Sequence, residues 1–132
     1  MANEYIQPQG LARPAAYTQV VMAQAGRTLF ISGQVAVDEN GWLVGRDDLR
    51  AQAQQVYENL RLALSAGGAT FADVVKLTTY IVNYSPEQRA ILNEVRSRYV
   101  NGEHPPASTL IGVQALAQPE FLIEVEAIAV VA

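Results

Sequence analysis

Hydrophobic positions recur along this chain with two different periods, and the places where the period changes divide it into elements. Tyr17 to Ala23 and Thr28 to Ser32 are short runs rich in β-branched and aromatic residues. Both are expected as strands, with Gly26-Arg27 turning the chain between them. Gly33 is expected to end or bulge the second strand, which Val35 to Val37 continues. Asn40-Gly41 is a hairpin signal because both positions tolerate positive φ, and Trp42 to Val44 would return as a short strand. From Asp47-Asp48 the period becomes helical. Leu49, Ala53, Val56, Tyr57, Leu60 and Leu64 share one face, and Gly67-Gly68 closes the helix. Val74 to Val82 returns to strand composition. Ser85-Pro86-Glu87-Gln88 has the form of a capping box opening a second helix, with Ile91, Val95 and Tyr99 as its buried stripe. Gly102, Pro105 and Pro106 end that helix, and Ser108 to Leu116 and Phe121 to Val131 are the last two strands. Residues 1–14, punctuated by Pro8, Gly10 and Pro14, read as an N-terminal arm.

The last strand carries the most information. Its odd positions, Phe121 to Val131, are all apolar, so that face should pack on the helices. Its even positions are Leu122, Glu124, Glu126, Ile128 and Val130, largely apolar but with two carboxylates roughly 7 Å apart along the strand. The predicted fold is therefore α/β (α+β), a mixed sheet of about six strands with two helices on one face. Two helices cover one face of such a sheet, and a second copy of the chain is the simplest cover for the other. Glu124 and Glu126 would then lie near a subunit boundary.

Composition narrows the chemistry. The 132 residues suit one domain, 1–132, and half of them are hydrophobic, enough for a substantial core. The start, Met1-Ala2-Asn3-Glu4, has no basic region followed by an apolar stretch, which predicts a cytoplasmic protein without a membrane span. With no Cys there is neither a disulfide nor a thiolate nucleophile, and a single His argues against a metal site; no cofactor is expected. A net charge of -4 disfavours nucleic acid as the partner and points to a small metabolite. Gly67-Gly68 follows a helix instead of opening one, so it is no phosphate loop. His104, in the loop before Pro105, has no identified orienting carboxylate and is expected to be exposed.

Four stretches, Tyr17-Thr18-Gln19, Ile31-Ser32-Gly33-Gln34, Asn93 and Ile123-Glu124-Val125-Glu126-Ala127-Ile128-Ala129-Val130, together resemble the Rid, or YjgF, family of imine and enamine deaminases. The likeness runs from about residue 11 to the C-terminus. It implies a chorismate-mutase-like homotrimeric barrel with clefts between subunits. It also implies a site built from Tyr17, Ser32, Asn93, Ser108, Thr109 and Glu124. In those deaminases an Arg in the strand after the second helix grips the substrate carboxylate. The stretch here reads Pro105-Pro106-Ala107-Ser108-Thr109-Leu110, which puts Ser108 in its place. Neutral Ser does not reproduce the charged planar fork that binds a carboxylate through two parallel hydrogen bonds.

The expected function is thus hydrolysis of a small reactive imine or enamine, or a related metabolite, that is not a simple 2-imino acid. Glu124 is the expected catalytic residue, orienting water or passing a proton to the leaving amine. Tyr17, Ser32, Asn93, Ser108 and Thr109 are the expected substrate-binding residues. The alternatives are a non-catalytic trimer that binds a metabolite and, third, a ribonuclease of the kind attributed to some relatives.

Overall fold

The structure, a computed structural model, describes residues 3–132. In chain order its elements are β1 (Glu4–Ile6), β2 (Val20–Met22), β3 (Arg27–Gln34), α1 (Leu49–Ala66), β4 (Val74–Val82), α2 (Gln88–Ser97), β5 (Ala107–Val113) and β6 (Ile123–Val131), with a 3-10 turn at Phe71–Asp73. This is the expected mixed α+β arrangement. Its six strands fall into two sheets, a four-stranded one ordered β3-β6-β4-β5 and a ribbon of β1 and β2. In the larger sheet β6 runs antiparallel to both β3 and β4, while β4 and β5 are parallel through the α2 crossover.

The first strand expected from Tyr17 shrinks to Val20–Met22 and pairs with Glu4–Ile6 inside the arm. Side chains of the arm hold it there: Asn3 Oδ1 accepts from the Gln24 N–H at 3.0 Å, and Gln7 Oε1 from the Gln19 N–H at 3.3 Å. The Asn40-Gly41 hairpin also forms differently. Only Gly41 takes positive φ, at 81°, and Asp38 Oδ1 accepts from the N–H groups of both Asn40 and Trp42. Because the Asp38 carboxylate supplies the acceptor, a longer loop replaces the two-residue turn. The returning strand is reduced to a single bridge, Val37 with Leu43.

Helix α1 follows its pattern. Asp48 caps it by accepting from the Ala51 N–H at 3.0 Å, and Gly67 closes it by donating to the Leu64 carbonyl. Ala53, Val56, Tyr57, Leu60 and Leu64 are buried. In α2 half of the capping box is present: Gln88 Oε1 accepts from the Ser85 N–H at 2.9 Å. The face turned to the core is Leu92, Val95 and Tyr99, with Leu92 in the place foreseen for Ile91. Helix α1 packs on β3 and β6, and α2 packs on α1. In β6 Ile123, Val125, Ala127 and Ala129 lie buried beneath the helices, while the residues between them stay partly open on the other face.

One polar residue is built into this core. Gln52 is fully buried, donates to the carbonyls of Gly45 and Glu120 at 3.0 and 2.9 Å, and accepts from the Leu122 N–H at 2.9 Å. It ties the loop before α1 to the loop before β6. Substituting Leu keeps the bulk but orphans three backbone groups. The Gln52→Leu variant should lose on the order of 3 kcal/mol in urea unfolding, since each unsatisfied group costs roughly 1–3 kcal/mol. A loss under about 1 kcal/mol would show that water replaces the side chain.

Candidate functional site

Strand register sorts the chemistry between the two faces of the sheet. Tyr80 stands opposite Glu124 and Thr78 opposite Glu126, while Leu77, Thr79 and Ile81 face Ala127, Val125 and Ile123 on the helix side. The carboxylates therefore occupy the open face. On that face Phe30 pairs with Ile128 and Thr28 with Val130. Phe30 is 78% exposed and Ile111, on the neighbouring edge strand, is 38% exposed.

Glu124 lies over a gap in β3. The β3–β6 ladder loses register between Ile31 and Gln34, and a side chain at Gly33 would overlap the Glu124 carboxylate. Glycine at 33 is thus needed for close approach, in keeping with the expected bulge. Ser32 is exposed at this irregularity, beside the carboxylate. Glu126, two residues on, accepts a short hydrogen bond from the Tyr80 hydroxyl. That bond, with burial and the nearby carboxylates, raises the Tyr80 pKa and keeps the phenol protonated. The two carboxylates are thereby set apart: Glu126 is tied to Tyr80, although Tyr80 stands opposite Glu124 in register.

Two expected site residues lie on the other side of the sheet. Ser108 pairs with Leu77 on the helix face, whereas Thr109 pairs with Thr78 on the open face and accepts from Lys76 Nζ at 2.6 Å. Ser108 borders a cavity of about 50 Å³ beneath α2, together with Asn93, Arg89 and Arg96. Tyr17 is half-buried near the start of β5, because Thr18 donates its N–H to the Pro106 carbonyl and its hydroxyl to that of Pro105. Within one chain, then, Glu124 and Ser32 come together, Asn93 and Ser108 come together, and the two pairs are on opposite faces. Tyr80 was missed because its role depends on β4–β6 register; its even spacing with Lys76 and Thr78 was the available signal.

The cavity beneath α2 is floored in part by Tyr57, whose ring stacks on Tyr99 and Phe71 with centroids 5.4 and 5.9 Å away. Burial pushes the Tyr57 hydroxyl well above its ordinary value, partly offset by the charge of Arg96. A phenol whose folded pKa is raised contributes stability in full below its unfolded value, and that stability is lost as pH rises toward the folded value. Unfolding followed from pH 9 to 12 should therefore show stability falling above about pH 10, and falling less steeply in Tyr57→Phe. Parallel curves for the two proteins would exclude Tyr57 as the source.

His104 is exposed, its ring 4.9 Å from that of Tyr5. Among the described residues no group of three or more His, Cys, Asp or Glu could hold a metal, and no helix is long and apolar enough to cross a membrane.

Comparison with known proteins places this arrangement among relatives. Residues 9–131 match the endoribonuclease L-PSP family. The crystal structure of YyfB from Yersinia pestis, a Rid family protein of unknown function, is similar with a TM-score of 0.90 and 46% identity, covering 99% of this chain and 100% of that one. A RutC family protein of Pyrococcus horikoshii is 37% identical over 113 residues, 86% of this chain and 85% of its own. The 2-iminobutanoate/2-iminopropanoate deaminase of Dermatophagoides farinae is 30% identical over 115 residues, 87% of this chain and 85% of its own.

Proposed function

The chain belongs to the endoribonuclease L-PSP family, that of the Rid or YjgF proteins, and from this membership we propose that it hydrolyses a small reactive imine or enamine. The observation that carries the reading is the Glu124 carboxylate, lying over Gly33 on the open sheet face while Tyr80 occupies its neighbour Glu126. In this reading three copies of the chain close a barrel with their open faces inward. The sites are clefts between subunits, which would let Glu124 and Ser32 of one chain meet the Asn93 and Ser108 side of the next. Apolar residues left open on that face, Phe30 and Ile111 among them, support such a covering.

In the proposed reaction Glu124 takes a proton from water as the oxygen adds to the C=N carbon and the nitrogen is protonated. The carboxyl then returns its proton to the amine, ammonia leaves, and a carbonyl product forms. Tyr17, Ser32, Asn93, Ser108 and Thr109 orient the substrate through hydrogen bonds. No metal or cofactor enters the scheme.

Ser108 bears on the substrate. Without a guanidinium on β5 the loss of a charged partner in a cleft is on the order of 2–5 kcal/mol. Hydrolysis of 2-iminopropanoate and 2-iminobutanoate should accordingly run roughly thirtyfold to several thousandfold below that of an Arg-containing relative. An amino acid oxidase generating the imine in situ, with ammonia release followed with and without the protein, measures this. Rates equal to the relative's would remove the assignment.

Ser108 also supports a second reading, a non-catalytic trimer that binds a metabolite. Its signature would be saturable binding with no acceleration of ammonia release from any imine. The family's name raises ribonuclease activity as a third, against which stand the net charge of -4 and the single His.

A further inference from the structure

We propose that the cavity between α2 and β5 is an anion subsite, in which Arg89, Asn93, Arg96 and Ser108 hold the carboxylate of a substrate whose C=N bond lies outside it. This rests on the hydrolytic reading above and names the class of substrate it would take: an imine or enamine with its carboxylate several atoms from the reacting carbon.

Arg89, Asn93 and Arg96 are spaced by four and then three residues, so they project from one face of α2 into the same cavity. Ser108 meets them from β5. Both arginines have neutral partners: Arg89 Nε donates to the Tyr84 hydroxyl at 3.3 Å, and an Arg96 Nη donates to the Ala16 carbonyl. The ion pairs among the described residues are Arg50 with Glu94 and Arg61 with Glu58, and no carboxylate lines the cavity. Two guanidinium groups thus face one partly enclosed space without a counter-charge. Such a pair repels itself and gains most from a bound anion, through charge-assisted hydrogen bonds in a setting that Tyr57 and Ile123 make poor in water.

Size selects the anion. About 50 Å³ exceeds the roughly 30 Å³ that a water occupies but does not admit a whole metabolite, so the fitting group is a carboxylate. Asn93 and Arg96 also border an adjoining groove of about 280 Å³ that runs along Ala15, Ala16 and Pro105, where the rest of a ligand has room. That groove, too, has no carboxylate in its lining. The acid–base group of the proposed reaction, Glu124, is on the opposite face of the sheet. A carboxylate bonded directly to the imine carbon would hold that carbon among cations with no base beside it, so a spacer is required.

Acetate is the probe, titrated into the full-length protein at pH 7 while the arginine Nε–H signals are followed by NMR. The expected result is saturable shifts of Arg89 and Arg96 at millimolar acetate, with affinity weakened at least tenfold in Arg89→Gln. Arg89 is exposed and suits this test better than Arg96, which also holds Ala16. A second variant, Ser108→Asp, sets a carboxylate permanently in the cavity. It should abolish the acetate response and raise the melting temperature. Unshifted arginine signals in the parent protein, or an acetate response that survives in folded Ser108→Asp, would overturn the subsite. Acetate is not turned over, so the titration is decided independently of hydrolysis. Saturable acetate binding without ammonia release from any imine would fell the proposed function and leave the subsite standing.

Discussion

Replacement of Glu124 by Gln should abolish most imine hydrolysis, lowering kcat by about 10²–10⁴ with little change in KM. The amide keeps the size and hydrogen-bonding reach of the side chain but cannot take a proton from water. The carboxylate lies over Gly33, and Glu126 is already bonded to Tyr80, so no second base stands ready. The matched control is Glu126→Gln, whose amide oxygen still accepts from Tyr80; it should keep activity within about tenfold. Near-equal losses in both variants would mean that the carboxylates act as a pair. A drop below tenfold in Glu124→Gln would remove the catalytic assignment. Circular dichroism on both variants separates chemistry from folding.

The second large effect is on assembly. Phe30 is 78% exposed in the single chain and stands beside Ile128 on the face that other copies are proposed to cover. In Phe30→Asp a charge would be taken out of water without a partner, at an effective cost of several kcal/mol per ion, and three copies would carry it. Light scattering at micromolar concentration should show a trimer for the parent protein and a monomer for the variant. Leu62, 55% exposed on α1, is the control, because Leu62→Asp lies on the helix layer and should leave the trimer intact. A parent protein that is monomeric at that concentration would end the argument for a shared cleft. Should Phe30→Asp remain trimeric, the interface lies elsewhere.

Periodicity alone determined much of this protein. The stripe from Leu49 to Leu64 and the alternation of β6 are burial patterns that hold along a single element, and both are buried as their spacing demands. Asp48 as a cap and Gly33 as the place of close approach were legible for the same reason, since each depends on chain chemistry within a few residues. The resemblance to Rid proteins was carried by residues that need no fold to be read. Other features depend on which strands become neighbours. Glu4–Ile6 became a strand only because β2 lay alongside it, and the Asp38 carboxylate, not the Asn40-Gly41 pair, shaped the hairpin. Leu92 replaced Ile91 because the path of α2 across α1 set which side faced inward. Tyr80 reached Glu126 through the β4–β6 register, and Ser108 parted from Thr109 because adjacent residues of a strand point to opposite faces. Arg89 and Arg96 read as a solvated stripe along the helix; only packing of α2 over β5 gave them a common cavity. Local periods measure one element against water, whereas register and crossing angle come from the elements packing on each other, and the candidate site is made of the latter.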